Sequence, residues 1–403
     1  MANGQYNIGI MAERTRAYGR RLCEGVAEYA QKRGDWVLIP LDSADLAARN
    51  LRKMDGFIVR TMDDTLLRAL QGTGKPVVDA LCRKPLEGVA VVDADHEEVA
   101  HMAAEHFLEH HFTSFAYCGC YGEGFSDARR EAFVQALRRA GHTCECYTPP
   151  PGALHRFDDA ISRCERISSG GDSAALRKWL LALPPRTAVF CCHDRRACQV
   201  LRICRACGID VPQRIAILGV DNDTLLCSFA SPMISSIEPD AHGAGFRAAD
   251  VLQRMMDEPE LCKCPPRILV MPRTIAVRAS SEVYPLDPPW LSDALVFIRR
   301  NVARRISATD VFERIGKSHS LVESAFRNTL STTVQREIMK SRIEEAQHLL
   351  KTTDLSVVAV AARAGFNSSQ YFCRSFAAAN GMPPDAYRRQ FARKRGEEIE
   401  CAP

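Results

Sequence analysis

Along the front of the chain, short apolar runs alternate with stretches whose apolar residues recur at helical spacing. Asn7 to Met11, Trp36 to Pro40, Gly56 to Arg60, Pro76 to Ala80 and Val89 to Asp93 have the length and composition of buried strands. Between them, Arg20 to Arg33 and Val99 to Glu109 carry helical spacing. This rhythm predicts a parallel sheet with helices on both faces. A second series runs through Ser114 to Cys120, Cys144 to Thr148, Thr187 to Cys192, Ile215 to Val220 and Met233 to Ile237. Two such series predict two α/β lobes in succession with a cleft between them.

The last hundred or so residues have a different pattern, and it occurs twice. Val311-Phe312-Glu313-Arg314-Ile315-Gly316 leads through Ser318 into His319 to Phe326. Val360-Ala361-Ala362-Arg363-Ala364-Gly365 leads through Ser368 into Ser369 to Phe376, with one extra residue in the turn. The Gly permits the turn, the Ser caps the second helix, and Val322/Phe326 or Phe372/Phe376 bury one face of it. Each copy therefore predicts a helix-turn-helix with its other face free for a DNA groove. Val334 to Lys351, free of Gly and Pro, predicts a single connecting helix. At ~1.5 Å per residue it spans roughly 27 Å, comparable to the ~34 Å between successive turns of a duplex groove. Pro285, Pro288 and Pro289 mark residues 281–290 as a linker, which divides the chain into a front region, residues 1–280, and a tail, residues 291–395.

Charge follows the same division. Trp290 to Pro403 holds 18 Lys/Arg against 12 Asp/Glu, while the residues before it hold 35 against 37. A basic tail suits a phosphate-contacting module and a near-neutral front suits a small-molecule sensor. The chain has no apolar run of membrane-spanning length and its first residues lack a signal-peptide layout, so a cytoplasmic protein is expected, with no membrane partner. The 17 cysteines are then expected to be reduced, small and mostly buried. Cys204 and Cys207, with Cys198 and His193 upstream, come nearest to a metal signature but lack a second ligand pair, so no metal and no cofactor is expected. In open α/β sheets ligands sit beyond the carboxyl ends of strands, where Asp93, Asp194 and Asp221 fall. Each alone could be a helix cap; their recurrence in both lobes suggests a polyol-binding cleft.

The tail resembles the AraC-type DNA-binding domain. Arg342-Ile343-Glu344-Glu345-Ala346-Gln347-His348-Leu349-Leu350, Ala364-Gly365-Phe366 and Tyr371-Phe372-Cys373-Arg374-Ser375-Phe376, running on to Gly381-Met382-Pro383-Pro384, carry the likeness. The front resembles the LacI-type, periplasmic-binding-protein-like sensor through Gly25 to Ala30, Arg129 with Ala132-Phe133, and Ile217-Leu218-Gly219-Val220-Asp221-Asn222. The two together are similar to the xylose-operon-regulator family. The resemblance implies a two-lobed α/β sensor of type I joined to an all-α domain with two helix-turn-helix units. It implies a sugar ligand, xylose or a related one, bound by Arg129 and Asp221, with Asp194 and Tyr18 as further candidates. It also implies a homodimer on double-stranded operator DNA, activating through RNA polymerase and performing no catalysis. Two departures stand out: Arg60 ends a strand at the pocket mouth, which would also suit an acidic or phosphorylated sugar, and Ser331 replaces the usual Gly after the first unit.

The outward faces of the second helices supply the DNA candidates: His319, Ser320, Glu323, Ser324 and Arg327 in the first unit, and Ser369, Gln370, Cys373 and Arg374 in the second. Arg374 suits guanine and Gln370 adenine, so the second unit is the better equipped for base readout. Two other readings stay open at this point. The front region could only dimerise a ligand-independent DNA-binding protein, or it could be a sugar enzyme, although no nucleophile–base pair stands at the strand ends.

Overall fold

The computed structural model describes residues 5–41, 51–60, 64–81, 86–120, 124–148 and 173–394. The first five strands form as the apolar runs predict: β1 (Tyr6–Met11), β2 (Trp36–Pro40), β3 (Gly56–Val59), β4 (Val77–Asp79) and β5 (Val89–Ala94). The second series gives β6 (Ser114–Cys118), β7 (Cys144–Cys146), β8 (Thr187–Cys191), β9 (Ile215–Val220) and β10 (Ser235–Glu238). Two short strands absent from the pattern reading follow, β11 (Arg267–Val270) and β12 (Thr274–Ala276). The first sheet has the order β11-β5-β4-β3-β1-β2 and is parallel throughout. The second has the order β12-β10-β9-β8-β6-β7, with only β12 antiparallel.

The helices of the sensing half are α1 (Ala17–Arg33), α2 (Asp64–Gln71), α3 (His96–Glu109), α4 (Gly124–Arg139), α5 (Ser173–Ala182), α6 (Asp194–Ala206), α7 (Thr224–Phe229) and α8 (Ala241–Asp257). The lobes are not simply successive in the chain, as the strand series suggests. After β10 the chain returns to the first lobe, where α8 packs against α1 in a core that includes Leu22, Val26, Ala244, Ala248 and Leu252. Trp36 Nε1 donates to Gln253 Oε1 at 2.8 Å, tying that return to β2. The returning segment then adds β11 to the first sheet and β12 to the second. Each lobe is thus completed by residues far away in sequence, a pairing that local periodicity does not report.

The tail contains α9 (Pro289–Asn301), α10 (Ala308–Ile315), α11 (His319–Leu330), α12 (Val334–Thr352), α13 (Val357–Arg363), α14 (Ser369–Asn380) and α15 (Pro384–Lys394). The expected caps form: Ser318 Oγ accepts from the Leu321 amide and Ser368 Oγ from the Tyr371 amide. The 19-residue α12 is shared between two small cores. Its first half gives Val334 and Ile338 to the core of Leu291, Leu295, Val311, Val322 and Phe326. Its second half gives Ile343, Ala346, Leu349 and Leu350 to the core of Val360, Phe366, Phe372, Phe376 and Tyr387. Burying each large side chain is worth about 1.5 to 3 kcal/mol, so α12 is the rod to which both units are fastened.

The linker expected at 281–290 is pinned to the front region. Ser281 Oγ meets His106 Nε2 at 2.9 Å, Tyr284 stacks on His110 with ring centroids 4.7 Å apart, and Arg186 pairs with Asp287 at 2.8 Å. Among the described residues no helix is long and apolar enough to cross a membrane.

Candidate ligand cleft and DNA-reading faces

The cleft is built from segments that follow strands in both lobes. From the first lobe come Glu13 after β1, Tyr18 in the first turn of α1, Arg60 after β3 and Asp93 near the end of β5. From the second come Phe125 and Arg129 on α4, His193 after β8 and Asp221 after β9. His96, at the start of α3, lies 3.3 Å from Asp93 and has its ring centroid 6.3 Å from Phe125, so it bridges the two sets. The lobes are also clasped by Arg20–Asp223 at 4.0 Å and Arg21–Glu238 at 3.1 Å.

Tyr18 lies where the two lobes meet. Its phenol is buried and, among the described residues, has no hydrogen-bond partner. Burial is the main reason its ionisation is suppressed; Asp93 and Asp221 add to the effect while Arg60 and Arg129 oppose it. Groups from both lobes therefore act on one hydroxyl. Arg129, only 3% exposed, donates from Nη1 to the Cys192 carbonyl and lies 5.3 Å over the Phe125 ring, while its Nε is buried without a partner among the described residues. Burial pushes the Asp93 carboxyl up, but His96, Arg60 and the Ala94 amide outweigh it and hold the group below its usual range. The floor is thus an aromatic face surrounded by ionised groups, a donor and acceptor set suited to adjacent hydroxyls.

Arg60 enters this cleft. It pairs with Glu13 and lies 4.5 Å over the Tyr18 ring. Its charge is balanced by an acid in the same lobe, which the local sequence around the third strand does not reveal.

Asp194 does not share the cleft surface. It is 1% exposed, and its oxygens accept from Ser236 Oγ at 2.6 Å and the Asp223 amide at 2.7 Å. Burial, then Asp221, raises its carboxyl to about 7, against the Ser236 and Asp223 bonds that favour ionisation. It anchors the turn after β9, where Asp221 and Asn222 both take positive φ, at 104° and 44°. The sequence correctly marks a strand-end acid there, but its chemistry is turned inward. Phe125, His96 and Glu13 are residues that the sequence reading does not single out, because contact between distant segments is what brings them to the cleft.

On the DNA side, His319, Ser320, Ser324, Arg327, Gln370 and Arg374 are exposed as expected. Ser369 is half-buried. Glu323 and Cys373 are corrections to the fully outward set. Both are half-buried, with one Glu323 carboxylate oxygen buried and unpartnered among the described residues and Cys373 packed on the second core. Each stands one residue, about 100° of helix turn, beyond the inward Val322 or Phe372, at the edge of the apolar stripe. On the other side of that stripe, Leu321 and Tyr371 are exposed at 49% and 48%. His319 is exposed but braces its unit's turn, edge-on to Phe312 at 4.3 Å.

Residues 104–281 match the family of periplasmic-binding-protein-like domains, and residues 312–390 match a helix-turn-helix domain family. Over 398 residues the chain is 26% identical to the xylose operon regulatory protein of Escherichia coli strain K12, covering 96% of this chain and 98% of that protein. The xylose operon regulatory protein of Haemophilus influenzae is 25% identical over 403 residues, covering 96% and 99%. A solved structure described as the xylose-binding transcription activator xylR aligns with a TM-score of 0.60 at 26% identity, over 97% of this chain and 99% of that one. Both halves match in the same order from end to end. The chain is an AraC-type DNA-binding transcription regulator similar from end to end to the xylose operon regulatory proteins. In this chain the two architectures described above are fused, a periplasmic-binding-protein-like α/β domain ahead of a helix-turn-helix domain. A LacI-family regulator from Enterococcus faecium, solved with bound ribose, is 20% identical over 70% of this chain with a TM-score of 0.54 and shares the fold of the sensing half.

Proposed function

We propose that this regulator senses a neutral sugar, xylose or a close pentose, in the cleft around Tyr18, Arg129 and Asp221. Asp93, His96 and Phe125 complete the site, and Asp194 positions Asp221. The observation that carries this reading is the Arg60–Glu13 pair beside Tyr18: the cation that an acidic or phosphorylated sugar would need is already neutralised inside the lobe. In this reading residues 1–280 sense, 281–290 couple, and 291–395 read DNA. The chain works in the cytoplasm as a homodimer on operator half-sites, activates by engaging RNA polymerase, and performs no catalysis.

A thermal-shift series with the purified full-length protein tests the ligand. A ligand that binds only the folded state, present at 100 times its Kd, adds about 2.7 kcal/mol of stability. D-xylose is expected to raise the melting temperature, glucuronate and xylose phosphates are not, and Arg129→Ala removes the xylose effect. A shift confined to acidic or phosphorylated sugars would overturn the neutral-sugar assignment. No shift with any sugar would leave a constitutive DNA-binding protein.

A further inference from the structure

The strand ends that form the second lobe's half of the cleft bring two cysteines and a histidine together. Cys192 Sγ lies 3.7 Å from Cys120 Sγ, and His193 Nε2 lies 3.6 Å from the same Cys120 sulfur. These three are the only group of metal-ligand residues so gathered among the described residues, and Cys204 and Cys207 take no part in it. They come from segments after β6 and β8, which pair in register through Cys118 and Cys191.

A metal ion is one candidate occupant, but the histidine argues against it. His193 caps α6: its Nδ1 accepts from the Arg196 amide at 3.0 Å. A neutral imidazole has one lone pair and one N–H, so this cap places the proton on Nε2, facing Cys120. Nε2 is therefore a donor to the Cys120 sulfur and has no lone pair for a metal. The Cys192 thiol donates to the same sulfur. Two donors converging on one sulfur describe a thiolate and its resolving thiol. In keeping with that geometry, the Cys120 thiol is held well below its usual value, first by the Cys192 bond and then, against burial, by His193 and Arg196. Cys120 is part-exposed, whereas Cys192 has no exposed surface. A small oxidant entering the cleft therefore meets the thiolate first.

We propose that Cys120 and Cys192 form a peroxide-sensitive dithiol site in the floor of the ligand cleft. The Cys120 thiolate attacks hydrogen peroxide, the O–O bond breaks, and Cys120 becomes a sulfenic acid while the departing hydroxide takes up a proton as water. Cys192 sulfur then attacks Cys120 sulfur; the S–S bond forms, the S–O bond breaks, and a second water leaves with the remaining thiol proton. Two thiols and one peroxide become one disulfide and two waters. Closing 3.7 Å to the ~2.05 Å of a disulfide moves Cys192, whose carbonyl is the anchor of Arg129, so oxidation acts on the ligand site through its own floor. The site stands apart from the identity of the sugar.

The test uses reduced full-length protein, equimolar hydrogen peroxide and peptide mapping by mass spectrometry. A Cys120–Cys192 crosslink should appear first, reverse with dithiothreitol, and form about tenfold faster than oxidation at the exposed Cys264. Cys120→Ser should abolish the crosslink, and Cys192→Ser should leave a sulfenic acid on Cys120 that dimedone traps. The wild-type time course decides even if either variant fails to fold: oxidation of Cys264 while Cys120 still alkylates freely would overturn the proposal. A one-to-one cadmium complex with thiolate charge-transfer absorption, lost in His193→Ala, would also overturn it by making the cluster a metal site.

Discussion

The two DNA-reading units are built on one frame and equipped differently. Their second helices begin at His319 and Ser369, and the positions correspond in order: Val322 with Phe372, Ser324 with Arg374, Phe326 with Phe376, Ser331 with Gly381. Both inward pairs are fully buried. The second core is the more aromatic, with Phe366, Phe372, Phe376 and Tyr387 in successive ring contacts of 5.0 to 5.5 Å. The turns also differ in what they touch. Gly316 takes φ of 64° in open space, whereas a side chain on Gly365, at φ 79°, would meet the Val302 carbonyl at 2.1 Å. Arg342 donates to the Ile306 carbonyl at 2.9 Å at the same junction. The second unit's turn is therefore part of the contact that fixes one head against the other, and the first unit's turn is free. A repeated motif can thus keep its fold while one copy takes on the packing between copies.

The sharpest way to break this comparison is at the turns. Gly365→Ala should lose roughly 3 kcal/mol or more, because it combines a left-handed backbone with a backbone clash. Gly316→Ala should lose only about 1 to 2 kcal/mol, from backbone conformation alone. Urea melts of both variants measure the gap, and equal losses would mean the two turns are equivalent. Next in size is base reading. Arg374→Ala should lose about 1 to 3 kcal/mol of discrimination at one base pair, read from binding to single-base operator variants. Ser324→Ala, at the matching exposed position, should change preference by less than about 0.5 kcal/mol. The caps should matter less than the turns or Arg374. Ser331 holds φ of 54° where Gly381 holds 71°, so Ser331→Gly should add up to about 1 kcal/mol and Gly381→Ser should remove a similar amount. No gain in the first case would show that Ser331 tolerates its left-handed backbone without strain.

Much of this architecture is legible in the sequence alone. Apolar runs mark strands because buried parallel strands have no polar face, and Ser318, Ser368, Gly316 and Gly365 mark turns because each supplies a cap or a backbone shape that few residues can. Tyr18, Arg129 and Asp221 are legible as a set only through family resemblance. What periodicity cannot reveal is anything made by distant segments: α8 returning to α1, β11 and β12 completing the sheets, and Glu13 meeting Arg60. Asp194 shows the same limit on a smaller scale. A strand-end acid is visible in the sequence, but whether it faces ligand or a buried serine depends on Ser236, which is far along the chain.

The coupling of cleft to reading heads is the central claim, and the affinity of the full-length chain for DNA selected from a random pool tests it directly. Measured by fluorescence anisotropy at fixed salt, with and without D-xylose, that affinity should change by tenfold or so, a coupling of about 1.4 kcal/mol. The change should vanish in Arg129→Ala. The same affinity with and without D-xylose, in a protein whose melting temperature the sugar does raise, would contradict the account by separating sensing from DNA reading.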